Sequence, residues 1–287
     1  MTRQEPGPGS LTIAATAAAM VAFAANSVLC RMALEAETID PASFTSLRLV
    51  SGAVMLWMLT RLLGKPRTTA GSWESAAYLF AYAITFSFAY TSLSAGTGAL
   101  LLFGSVQITM IIWALFSGER PLPGRWLGMA TALIGFIYLV LPGVTAPSAA
   151  GAALMTAAGI SWGFYSLRRK GHTDPLAATA GNFLRAAPMA LVVSLVLLSG
   201  THVSARGIVL ALASGAVASG LGYVVWYAAL RGLSASGAAV VQISVAPIAA
   251  LGGVLFLGEA VSARLLIASI LILGGITVAL LSRPRAA

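Results

Sequence analysis

Leu93-Ser94-Ala95 opens an apolar run that closes on Gly118-Glu119, and Leu233-Ser234-Ala235-Ser236 opens a second run that closes on Gly258-Glu259. Both motifs recur at one offset, since 233 − 93 and 259 − 119 are each 140 residues, about half of a 287-residue chain. Self-similarity at a fixed offset marks a duplicated unit. A second register agrees with the first. Arg31 corresponds to Arg168 and Arg48 to Arg185, both 137 residues apart, and a change in loop length absorbs the difference.

Composition decides what the duplicated unit is. The chain is 59% hydrophobic and 9% charged, with a mean hydropathy of +0.91. Soluble domains carry about 25% charged residues, so the sequence is that of an all-α, polytopic membrane protein. The net charge of +9 does not point to nucleic acid. The basic residues sit in short loops between apolar runs and form no continuous patch, and in a membrane protein such an excess sets orientation. A single cysteine, Cys30, excludes an internal disulfide and a cysteine metal cluster. His172 and His202 fall in separate loops, so no metal or cofactor is expected.

A spanning helix needs about 20 mostly apolar residues. Ten segments qualify: 11–33, 42–63, 75–93, 97–117, 122–141, 150–168, 178–199, 206–230, 237–257 and 262–282. Ala22-Phe23-Ala24 resembles a signal-peptidase site. The apolar run continues past it, and cleavage would break the repeat, so the first segment is read as a helix. Twelve Lys and Arg flank the spans on the N-terminal side, against three (Arg31, Arg206 and Arg264) on the other. That bias puts both termini in the cytoplasm. The two units are residues 1–145 and 146–287, forming one transport domain. Each holds five spans, an odd number, so the second is inverted relative to the first. Inverted pairs are a common framework for secondary transporters.

Ten spans, a five-plus-five duplication, and Leu-Ser-Ala-Ser followed by Gly-Glu resemble the drug/metabolite transporter superfamily in its EamA branch. Pro247 and Gly274-Gly275 fit that family's second half, whereas Gln107 stands where Pro247 would map in the first. Among its members the chain is most similar to the YddG-type exporters of aromatic amino acids. The resemblance implies a bacterial inner-membrane exporter of small metabolites, with a central cavity between the halves.

The residues supply candidates for that cavity. Tyr78 and Tyr82 share one face of the third helix, with Thr85 a turn on. Trp162 and Tyr165 lie on the sixth, and Tyr223, Trp226 and Tyr227 on the eighth. Aromatic faces with polar tips suit amphiphilic ligands. Trp57, Trp73, Trp113 and Trp126 fit an interfacial belt instead. Asn26, Gln107, Gln242 and Ser244 are polar groups within spans, which need partners, water or substrate. Pro247 removes a backbone hydrogen bond and is a candidate hinge, with Gly104 its counterpart in the first half. Arg48 and Arg185 are charges within spans, read as structural groups at helix ends, with a substrate carboxylate as the competing partner.

No acidic residue falls mid-span, so tight proton coupling lacks its usual carrier and facilitated diffusion is expected. The substrate expected is a neutral or aromatic amino acid moved by alternating access, with membrane lipid around the protein and no nucleic-acid partner. Export of hydrophobic or cationic drugs is the competing transport reading, and a membrane assembly protein a further one. The oligomeric state is left open, a monomer included. No HExxH motif, buried Asp pair or Ser–His pairing within helices appears, so catalysis is not expected.

Overall fold

The structure is a computed structural model, and it describes residues 9–64, 70–117, 122–143, 146–168, 174–233, 238 and 241–282. Gly118-Glu119, Ser234-Ala235 and His172 lie outside the described residues, as do Arg3, Lys65, Arg67, Arg120, Arg169, Lys170, Arg283 and Arg285. Ten helices run through the described residues: α1 (Ser10–Glu35), α2 (Pro41–Leu62), α3 (Trp73–Ala89), α4 (Ala95–Phe116), α5 (Pro123–Val140), α6 (Ala149–Arg168), α7 (Pro175–Val196), α8 (Ala205–Leu230), α9 (Val245–Leu257) and α10 (Ala263–Leu281). Seven of them (α1, α2, α4, α5, α7, α8 and α10) are long and apolar enough to cross a membrane. Of the other three, α3 and α9 are short, and α3 and α6 carry much of the interior's aromatic content.

The recurring motifs are helix punctuation. Ser94 is the N-cap of α4, accepting a hydrogen bond from the Thr97 N–H. Gly258 ends α9 in the left-handed conformation at φ 66°, which a side chain would resist. Glu259, next in sequence, reaches back to the start of α4. Its two oxygens accept the Ala95 N–H at 3.0 and 2.9 Å, and the Arg31 Nε donates to it at 3.3 Å. The Leu-Ser-Ala of the first half thus docks on the Gly-Glu of the second. Asp40-Pro41 and Asp174-Pro175 start α2 and α7 in the same way, with an aspartate cap and a proline in the first turn.

Packing repeats with the sequence. α3 packs on α6 as α8 packs on α1, and α4 packs on α6 as α9 packs on α1. α2 meets α7, α4 meets α9, and α5 meets α10. Adding five to each helix number returns these principal neighbours, although the lesser contacts of α4 with α1, α5 and α10 have no counterpart around α9. α5 lies chiefly against α10, at the edge of the bundle. The close approach comes from glycine: a Cβ on Gly128 would stand 2.5 Å from the Ala279 nitrogen and the Gly275 oxygen, and one on Gly275 2.5 Å from the Ala132 nitrogen. In lipid, where apolar side chains gain little by leaving their solvent, such contacts supply the association. The remaining faces of the pair carry exposed Leu127, Ile134, Ile137, Leu266 and Ile270.

Candidate aromatic cavity

Three aromatic side chains set the geometry of the interior. Trp162 of α6 lies 4.8 Å from Tyr82 of α3 and 5.8 Å from Tyr223 of α8, centroid to centroid. Phe23 of α1 extends the cluster, 5.8 Å from Tyr223 and 5.9 Å from Trp226. The cavity between them is completed by Asn26, Ser27, Phe86, Leu102, Phe103, Ser166 and Gln242. Space for the centre of a water-sized sphere amounts to ≈ 40 Å³. One water needs about 10–15 Å³ on that measure, so this conformation admits a few waters and no amino acid.

Asn26 is fixed by an unusual stretch of α8. Residues Ala213–Leu221 wind as a π-helix. On an α-helix, residues five apart would point about 140° away from each other. The wider π turn brings them towards one face. Ser214 and Ser219 are five apart, and both hydroxyls donate to the Asn26 Oδ1, at 2.8 and 3.3 Å. With that oxygen occupied, the Nδ2 group is the donor Asn26 keeps for the cavity. Gly215 lets the same stretch pass close to α2, where a Cβ would strike Ser51 and the Arg48 carbonyl.

Six of the residues singled out from the sequence line the cavity: Asn26, Tyr82, Trp162, Tyr223, Trp226 and Gln242. Five are elsewhere. Tyr78 stacks on Phe164 at 5.5 Å. Tyr165 is fully buried behind Trp162, within reach of the Asn182 amide at 3.4 Å. Tyr227 shares a 2.6 Å hydrogen bond with Thr179. Gln107 is buried on α4 without lining the cavity. Ser244 lines a separate apolar groove with Thr12, Thr16 and Ile248, and its hydroxyl donates to the Val241 carbonyl. Sequence reasoning passed over Phe23, Ser27, Phe86, Leu102, Phe103 and Ser166. Phe86 had a signal, because it continues the i, i+4 series from Tyr78 and Tyr82. The others had none, being ordinary residues of apolar helices.

Pro247 lies in the first turn of α9, and the chain is a turn rather than helix at Ser244, after a short helical stretch at 241–243. The proline ring crowds the carbonyl four residues earlier, that of Ile243. α4 runs unbroken past Gly104. The two intramembrane arginines are unlike each other. Arg185 donates to the carbonyls of Ala70 and Gly181 at 3.0 and 2.9 Å. Arg48 is buried, and its Nη2 donates to the Tyr82 hydroxyl at 2.8 Å. Trp57, Trp73, Trp113 and Trp126 are all exposed. Among the described residues no cluster of His, Cys, Asp or Glu is arranged to hold a metal.

The sequence profile of the EamA-like transporter family matches twice, over residues 10–141 and again over 149–281. The chain belongs to the EamA-like transporter family. The double match fits the repeat, and the family is one of multi-pass membrane transporters within the drug/metabolite superfamily. The EamA relatives include an uncharacterized protein of Pseudomonas aeruginosa, PA1977. It is 50% identical over 279 residues, spanning 97% of this chain and 96% of that protein. A solved crystal structure of a protein 20% identical superposes over 93% of this chain and 97% of its own, with a TM-score of 0.65. At that identity the likeness concerns the fold alone.

Proposed function

We propose that this EamA protein exports small metabolites, neutral or aromatic amino acids, through the central cavity, in the manner of the YddG-type exporters. The observation that carries the reading is the cage of Tyr82, Trp162 and Tyr223 at the meeting of α3, α6 and α8. Aromatic rings offer apolar faces to a ligand ring and negative faces to an amine, while Asn26 and Gln242 add polar groups at the same cavity. Tyr165 supports Trp162 from behind and Tyr227 supports Tyr223.

In this reading all ten helices span the bacterial inner membrane, the two five-helix units are inverted, and both termini are cytoplasmic. Alternating access widens the cavity toward one side at a time. The break at Ser244 and Pro247 gives α9 a place to bend, and Gly104 gives α4 a small contact surface against Ile272 and Phe136. Transport is facilitated diffusion. The described acidic residues stand at helix ends or in loops, namely Glu35, Glu37, Asp40, Glu74, Asp174 and Glu259, so none is placed to carry a proton through the centre.

Uptake of labelled amino acids into proteoliposomes, with and without an imposed proton gradient, tests this. Aromatic amino acids should enter down their own gradient at a rate that the proton gradient leaves unchanged. Uptake that requires the proton gradient contradicts the uncoupled mechanism, and a panel in which no amino acid enters contradicts the substrate class.

A further inference from the structure

Among the described residues Arg48 is a charge without a counter-charge. Its residue is 3% exposed. Its Nη2 donates to the Tyr82 hydroxyl, and its guanidinium carbon lies 5.2 Å from the Tyr82 ring centroid and 4.8 Å from that of Phe86. Its Nη1 is buried and has no hydrogen-bond partner among the described residues. Among the described residues Arg31 pairs with Glu35 and Glu259 and Arg168 with Glu74, and Arg48 is in none of these pairs. Arg185, at the matching position of the second half, satisfies itself with two backbone carbonyls. The repeat therefore does not explain why Arg48 is left short.

Ring contacts offset part of the cost of a buried guanidinium, but an unmet N–H in a water-poor interior remains unfavourable. Tyr82 and Phe86, on which the guanidinium lies, are both walls of the cavity. The Tyr82 oxygen accepts from Arg48, so its own hydroxyl proton is free to be donated. The Asn26 Nδ2 is a further donor at the same cavity. These groups are all donors, and the nearby charge is positive. A cationic ligand would meet like charge here, and an anionic one would meet its complement.

We propose that Arg48 and the Tyr82 hydroxyl form the anion subsite of the central cavity, so that the ligand is a small carboxylate bearing an aromatic or apolar group. This rests on the cavity's being the substrate site, and it decides between a carboxylate-bearing metabolite and a cationic drug. The carboxylate takes the hydrogen bond from Tyr82 and, as the cavity widens, the open Nη1 of Arg48. The ligand ring occupies the cage.

The purified protein in detergent is titrated with L-phenylalanine, 3-phenylpropionate and phenethylamine, read by tryptophan fluorescence. Wild type should bind both carboxylates and bind phenethylamine at least tenfold more weakly. R48Q and Y82F should each weaken 3-phenylpropionate about tenfold or more while leaving phenethylamine unchanged or tighter, and R48K should restore part of the loss. Phenethylamine binding as tightly as 3-phenylpropionate in wild type overturns the proposal, whether or not any variant folds. So does a folded R48Q that binds 3-phenylpropionate as wild type does. Should none of the three bind, the aromatic-substrate reading fails on its own. Thermal stabilisation by acetate then decides the anion subsite: stabilisation lost in R48Q upholds it, and none in wild type overturns it.

Discussion

Glu259 sits where the start of α4 meets the end of α9, and its burial and two neighbours define its state. Burial pushes its carboxyl above the usual carboxylate range, while the Ala95 N–H and the Arg31 guanidinium pull it down without cancelling the rise. Folding therefore takes up a proton in the window between the ordinary carboxylate range and the raised value. The contribution of Glu259 to stability is complete below that window and declines as pH rises through it. Thermal unfolding in detergent, followed against pH, should show wild type losing stability across the window relative to Glu259→Gln, whose side chain does not titrate. Parallel profiles would refute this. The sequence marks Glu259 only as the close of a repeated motif. Its partners are not legible there, because the Ala95 donor lies 164 positions away.

The elements divide by how much of their behaviour is written locally. Starts and stops are local: Asp40-Pro41, Ser94, Asp174-Pro175 and Gly258 each act on a few neighbouring residues, so the helix boundaries lie within a few residues of those read from hydropathy, except that α9 begins at Val245 rather than at 237. The π segment of α8 is not local. It rests on the Asn26 side chain of α1 and the close passage of Gly215 over α2, and α-helical periodicity has no means of announcing it. Pro247 is legible as a break but not as a moving one. Pro247→Ala should let the helix run through Ser244 and lower the transport rate several-fold while membrane expression holds. Unchanged kinetics would remove the hinge. Between α5 and α10, Gly128→Ala should push the backbones apart and cost about 1–3 kcal/mol, read as a lower melting temperature. An unchanged melting temperature would mean that the contact at Gly128 yields without cost.

At the scale of the molecule, the duplication visible at an offset of 140 residues is also the pattern of the principal helix neighbours. That much was available from the sequence because each half repeats its own punctuation and apolar lengths. The cavity was only partly available. Side chains with a distinctive type, Tyr82, Trp162, Tyr223, Trp226, Asn26 and Gln242, could be singled out, whereas Phe23, Leu102 and Phe103 look like any lipid-facing or core residue until the helices are packed. Conversely, Tyr165 and Tyr227 have the right chemistry and stand behind rings that line the cavity, and Tyr78 stacks on Phe164 instead. The aromatic content thus forms two layers around one small void, and Trp162, which the 137-residue register sets against Ala25 of the first half, sits in the inner layer.

Trp162 touches both Tyr82 and Tyr223, so the claim that this cage is the substrate site stands or falls with it. The direct measurement is solute counterflow in proteoliposomes preloaded with unlabelled L-phenylalanine, with labelled L-phenylalanine outside. Wild type should accumulate label transiently above equilibrium, and Trp162→Ala, reconstituted to the same level, should lose most of that overshoot. An overshoot in Trp162→Ala equal to that of wild type, or a wild type no different from protein-free vesicles, would contradict the account.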